Sequence, residues 1–258
     1  MIRSGAPSLG APGFCQTLVV SSGGMSTFVL VPGAWLGAWV WQAVAGGLRA
    51  LGHEVHAVTL SGLAERAGDD PDKIGVTTHV RDVLTVLEGG DLRGVVLVGH
   101  SYAGLVAGQA ADWARDRVAH TVFLDANLPR DGQAITDAWS ERGRELAREA
   151  VSAHEGRWPP PEIEDFDGHD LTPEQVTWLI GHATPHPGHT LFEPAVLTRP
   201  LGELSATYVT CLRPPSPPRD EVLALRASPS WRFAELDTGH WPMVSRPDAV
   251  VTLLHSLG

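Results

Sequence analysis

The segment Val98-Gly99-His100-Ser101-Tyr102-Ala103-Gly104 sets a serine among small residues at the end of the apolar run Val95-Val96-Leu97-Val98. Nucleophilic catalysis by serine needs a hydroxyl held away from its own backbone, beside a base and facing donors for an oxyanion. A strand-to-helix turn of the form Gly-x-Ser-x-Gly provides this, because its small flanking residues let the turn tighten. Leu105-Val106-Ala107 opens a helical pattern directly afterwards, so strand, turn and helix follow in the required order. The second small position is Ala103, with Gly104 next, a mild departure from that form. A helix N-terminus behind Ser101 would also favour developing negative charge. A chance match at a βα turn is the competing reading, and the flanking strand and helix weigh against it.

Such a serine needs a scaffold, and the chain supplies a repeating one. Thr27 to Val31 is a continuous β-branched and apolar run, as a buried parallel strand requires. Further strands are expected over Glu54 to Leu60, Gly94 to Val98, His120 to Leu124, Ala206 to Leu212 and Arg232 to Leu236. Helical spacing appears over Trp39 to Leu51, Thr77 to Leu87, Ala103 to Ala114, Arg219 to Ala227 and Pro247 to Leu257. Thr77 is the expected cap of the second of these. Repeated βα units specify an α/β fold with a mostly parallel, doubly wound sheet of about six strands. The alternation breaks between residues 127 and 204, a helical or loop-like stretch holding Pro159-Pro160-Pro161, Trp139, Trp158, Trp178 and Phe192. It reads as a helical cap inserted between core segments 25–126 and 205–258. Residues 1–24 have a linker's composition and are expected to be a disordered tail. Met25 stands just before the first strand, so starts at Met1 and at Met25 both remain open.

Composition narrows the function classes. A net charge of −11 lacks the basic footprint that nucleic acid needs. Lys73 is the single lysine and sits in the polar stretch Asp69-Asp70-Pro71-Asp72-Lys73, a poor place for a desolvated Schiff-base amine. Cys15 and Cys211 give neither a disulfide framework nor a zinc spacing. No apolar run reaches the length of a membrane span, and Gly, Pro and Ser interrupt the N-terminal segment where a signal sequence would be continuous. A soluble, cytoplasmic location is expected. Oligomeric state stays open, a homodimer included.

Four stretches carry a resemblance: Phe28-Val29-Leu30-Val31-Pro32-Gly33-Ala34-Trp35 with Gly37-Ala38-Trp39, Leu51-Gly52-His53-Glu54-Val55, Val96-Leu97-Val98-Gly99-His100-Ser101, and Thr238-Gly239-His240. From about residue 27 to its C-terminus the sequence resembles α/β-hydrolases of the plant methylesterase and hydroxynitrile lyase type, in a bacterial esterase-like branch. The resemblance implies the α/β-hydrolase fold and the chain order serine, acid, histidine. It also implies His240 as the base, because this residue lies between the last strand and the C-terminal helix. The family usually places the acid just after the strand that here is Ala206 to Leu212. The chain continues there with Arg213-Pro214-Pro215-Ser216-Pro217-Pro218, which holds no carboxylate. Asp125, ending the strand His120 to Leu124, is preferred to Asp220, whose place at a helix start the dipole alone can explain. Some α/β-hydrolases take their acid from that neighbouring strand, although Asp125 could also be a structural residue of the loop into the cap.

The resemblance further implies an oxyanion hole made by the backbone N–H groups of Tyr102 and Ala34. Proline stands at position 32 where the family commonly has histidine, and this leaves the Ala34 N–H intact. Trp35 and Trp241, adjacent to Ala34 and His240, are the expected substrate contacts. His100 adjoins the serine and is expected to shape the pocket. His182, His186 and His189 invite a metal assignment, but the intervening Pro and Gly make a loop that no Asp, Glu or Cys joins. The expected activity is therefore cofactor-independent and metal-free hydrolysis of an ester, thioester or lactone with a small hydrophobic or aromatic acyl part. Cyanohydrin cleavage is a weaker rival, since the family's lyases carry threonine and lysine where Gly33 and Trp241 stand. A catalytically weak, receptor-like protein is the other alternative, and the displaced acid is what keeps it open.

Overall fold

The computed structural model describes residues 24–258. The expected disordered tail, apart from its last residue, lies outside the described residues. The strands are Thr27–Val31 (β1), Glu54–Ala57 (β2), Val95–His100 (β3), Val118–Leu124 (β4), Arg157–Trp158 (β5), His186–Pro187 (β6), Ala206–Cys211 (β7) and Trp231–Leu236 (β8). The α-helices are Gln42–Ala50 (α1), Val76–Gly89 (α2), Ala103–Trp113 (α3), Glu141–Ala153 (α4), Pro173–His182 (α5), Asp220–Ala224 (α6), Pro242–Ser245 (α7) and Pro247–His255 (α8).

Six strands form one sheet in the order β2-β1-β3-β4-β7-β8, and every neighbouring pair is parallel. Side chains alternate across a strand, so β1 feeds two cores. Val29 and Val31 pack on the side of α2 and α3, while Phe28 and Leu30 pack on the side of α1 and α8. All six residues of β3 are buried, as a central strand covered on both faces must be. Helix α3 is buried from Ala103 through Asp112, which its run of Ala and Gly permits by letting neighbours approach closely.

Among the expected boundaries that shift, two have a physical cause in the packing. Strand β2 stops at Ala57 although the apolar run continues to Leu60. Its partner β1 ends at Val31, and the last link is the Val58 N–H donating to the Leu30 carbonyl. Beyond it, side chains replace the ladder: Thr59 Oγ1 accepts from the Ala38 N–H, and Asp82 accepts from the Ser61 N–H. Helix α2 is capped at Gly75, not Thr77, with the Gly75 N–H donating to Thr78 Oγ1. The Thr77 N–H instead donates to Glu193. The segment between β4 and β7, taken as the cap, holds α4 and α5 and also a short antiparallel pair, β5 with β6, where only helix or loop was expected.

Candidate active site

Ser101 stands in the left-handed region at φ 54, the strained turn that lifts a hydroxyl off the sheet edge. Its backbone is tied to the end of β4. The Ser101 N–H donates to the Leu124 carbonyl at 3.2 Å, and its own carbonyl accepts from Asn127 at 2.9 Å and Gly104 at 3.1 Å. A Cβ at Gly99 would run into the Ala103 carbonyl and Ala107. One at Gly104 would run into Ala126 and the Asn127 carbonyl. Close packing therefore demands glycine at 104, one place beyond the usual form, while Ala103 fits fully buried.

His240 follows β8 and stands between two partners. Its Nε2 is 2.9 Å from Ser101 Oγ, and its Nδ1 is 2.5 Å from Asp125 Oδ2. Register explains how the serine and the carboxylate come together. His100 pairs with Leu124, so the next residues, Ser101 and Asp125, leave adjacent strands at the same level. Asp125 is also left-handed, at φ 45, and its N–H donates to the Val209 carbonyl. Burial pushes its carboxyl up, but the His240 hydrogen bond and the nearby positive charges hold it below the ordinary carboxylate range. Asp220 lies exposed in the first turn of α6.

The segment Pro32-Gly33-Ala34-Trp35 packs directly on the elbow. A Cβ at Gly33 would lie 2.8 Å from His100 Nδ1 and 2.9 Å from Ser101 Cβ, which brings the Ala34 backbone to the same edge. Trp35 is left-handed at φ 65. Its N–H donates to His186 Nδ1 at 3.4 Å, and its carbonyl accepts from the Thr184 N–H at 2.9 Å. Its ring lies 4.2 Å from that of Trp158, which in turn lies 5.9 Å from Trp139. Trp241 is 8% exposed and packs on Phe166 and His169.

Tyr102 heads α3 while its side chain turns inward. His79 Nε2 faces the Ser61 carbonyl and must donate to it, so Nδ1 accepts from the Tyr102 hydroxyl at 2.9 Å. His186 packs edge-on against the Tyr102 ring at 4.6 Å. His182 turns away at the end of α5, its Nδ1 bonded to the Trp178 carbonyl. The histidine-rich stretch thus divides among the end of α5 (His182), buried strand β6 (His186) and an exposed position in the short turn Gly188–Leu191 (His189). Sequence reasoning missed His79, His169 and Asp170, since no local pattern announces contacts made so far along the chain.

Burial holds His79 and His120 down to about 4 and His100 to about 3, and also keeps His186 low. The unfolded chain therefore takes up protons below pH 6.5 that the folded chain refuses. Stability should be full well above pH 6.5 and fall steadily towards pH 4. Urea midpoints followed by tryptophan fluorescence check this; a midpoint at pH 5 equal to that at pH 7.5 would contradict it.

A parallel sheet with a strained serine turn at the carboxyl edge of its third strand, faced by a histidine after its last strand, defines an α/β-hydrolase. The chain belongs to the alpha/beta hydrolase family, whose family model matches residues 28–253. Within it the protein is an esterase-type enzyme. It is 31% identical to a carbendazim-hydrolyzing esterase of Nocardioides sp., over 91% of this chain and all of that one. It is 26% identical to methylesterase 3 of Arabidopsis thaliana, over 88% of this chain and 93% of the relative. In structure it resembles an extracellular alpha/beta-hydrolase from a Paenibacillus species, with a TM-score of 0.79 and 24% identity, covering 90% of this chain and 99% of that one. No helix among the described residues is long and apolar enough to cross a membrane.

Proposed function

We propose that the enzyme cleaves a small ester, thioester or lactone with a hydrophobic or aromatic acyl part, through Ser101, His240 and Asp125. The observation that carries this reading is the unbroken chain of hydrogen bonds from Asp125 through His240 to Ser101 Oγ. With Nδ1–H donating to Asp125, Nε2 keeps its lone pair for the serine proton. Ser101 Oγ attacks the carbonyl carbon, and the backbone N–H groups of Tyr102 and Ala34 stabilise the oxyanion. His240 then returns the proton to the leaving group, and water, activated by the same imidazole, releases the acid. Asp125 orients the ring and balances its transient positive charge.

The tryptophans at positions 35, 139 and 158 support an aromatic or compact apolar acyl group, with Trp35 as the contact beside the oxyanion donor. Trp241 backs the His240 loop in this reading. A relative named as a methylesterase supports a small alcohol, such as methanol, as the leaving group. The lyase rival is disfavoured on packing. A threonine at position 33 would press on the His100 ring and on Ser101 itself, and Trp241 offers no cation for departing cyanide.

A fluorophosphonate probe tests the nucleophile: wild type should label and Ser101→Ala should not. Equal labelling of both, or none of the wild type, overturns the reading. Short-chain and benzoyl p-nitrophenyl esters should turn over faster than long-chain ones. Ser101-dependent release of cyanide from mandelonitrile would reassign the reaction to a lyase.

A further inference from the structure

The backbone of His240 is gripped from two layers of the molecule. On the core side, His100 Nε2–H donates to the His240 carbonyl at 2.7 Å. On the other side the grip comes from the cap. The His240 N–H donates to His169 Nδ1 at 3.1 Å, and the Gly239 N–H donates to Asp170 Oδ1 at 2.7 Å. Both acceptors belong to one tight turn, in which Gly168 (φ 80) and Asp170 (φ 48) are left-handed. The two segments lie so close that a Cβ at Gly239 would run into the His169 backbone. This makes Thr238-Gly239-His240 a docking strip whose glycine is required by the cap.

We infer that His169 and Asp170 are positioning residues, through which the cap sets where the His240 imidazole stands between Ser101 and Asp125. The inference rests on the serine-hydrolase reading above. His240 must place one nitrogen on each partner at once. A displacement of about 1 Å in such a constellation costs up to about 100-fold in rate. His100 alone holds only the carbonyl, leaving the preceding amide free to rotate the residue. The two cap acceptors close that rotation, so the cap takes part in building the base as well as in covering the substrate.

Paired variants separate positioning from mere structural support. His169→Phe keeps the ring volume and loses the acceptor, whereas His169→Asn keeps an acceptor near Nδ1. Asp170→Ala loses its acceptor, whereas Asp170→Asn keeps one and tolerates the left-handed backbone. The Phe/Ala double variant should lose about 10- to 100-fold in kcat. Its fluorophosphonate labelling rate should fall in the same proportion, with KM within about twofold of wild type. The Asn/Asn double variant should stay within about threefold of wild type in both rates. Unchanged kcat in the Phe/Ala protein, a rise in KM alone, or an equal loss in the Asn/Asn protein would each overturn the inference. Thermal midpoints accompany every variant; if the Phe/Ala protein does not fold, each single variant is judged against its asparagine counterpart by the same criteria. Absent labelling of the wild type counts against the serine-hydrolase reading, while a labelled wild type with no slowing in the variants counts against the cap's role alone.

Discussion

Asp125→Asn should lower kcat/KM by about 1,000- to 10,000-fold, while Asp220→Asn should leave it within about twofold of wild type. The asparagine side chain fits the same space, so the fold is retained and the loss is chemical. Its amide meets His240 Nδ1 in one of two ways. If the NH2 donates, Nδ1 becomes the acceptor and the ring proton moves to Nε2, which can no longer receive a proton from Ser101. If the oxygen accepts, the tautomer survives but the imidazolium formed during attack has no negative partner. Asp220 is solvent-exposed in the first turn of α6, where its charge acts on the helix alone. Steady-state hydrolysis of a p-nitrophenyl ester, with fluorophosphonate labelling rates measured beside it, distinguishes the two. Full activity in Asp125→Asn together with a large loss in Asp220→Asn would reassign the acid.

A second large effect concerns how the three groups act together. Ser101→Ala should remove at least about 10,000-fold of kcat, and adding Asp125→Asn to it should cost almost nothing more. Once the nucleophile is gone, an oriented base has no oxygen to activate. In the proposed mechanism the remaining acceleration comes from binding and from the backbone N–H groups of Tyr102 and Ala34, which survive both substitutions. Losses that multiply instead of saturating would mean that Asp125 acts on a step outside serine attack. Active-site titration of each preparation keeps traces of wild type out of the comparison.

Much of this site is legible in the sequence, for reasons that differ by residue. Ser101 declares itself because strand, turn and helix are all local, and small residues on both sides are its steric requirement. His240 is found by its place in a fold whose chain order is already implied. The acid is harder. Asp125 and Asp220 both follow plausible elements, and only the pairing of His100 with Leu124 sets Asp125 level with Ser101. That register is a long-range property. The same applies to β2, where Val58 and Leu60 are apolar because they are buried, yet lie beyond the paired residues, the last link to β1 being the Val58 N–H on the Leu30 carbonyl. The glycine displaced to position 104 looks like an imperfect motif until Asn127 is seen pressing on it. His169 and Asp170 lie in a cap without periodic pattern, and their partners are about seventy positions away along the chain.

The pairing of β3 with β4 has a consequence for how the enzyme ages and wears. Of the three side chains proposed to react, Ser101 and Asp125 each directly follow a residue of the paired rung of His100 and Leu124, so their separation survives as long as the sheet itself does. The third, His240, rides on a short crossing between β8 and α7 that is held by His100, His169 and Asp170, so any slackening of those contacts falls on it first. Loss of activity on warming should therefore begin as misalignment of a single imidazole, while the serine and the carboxylate still face each other in register.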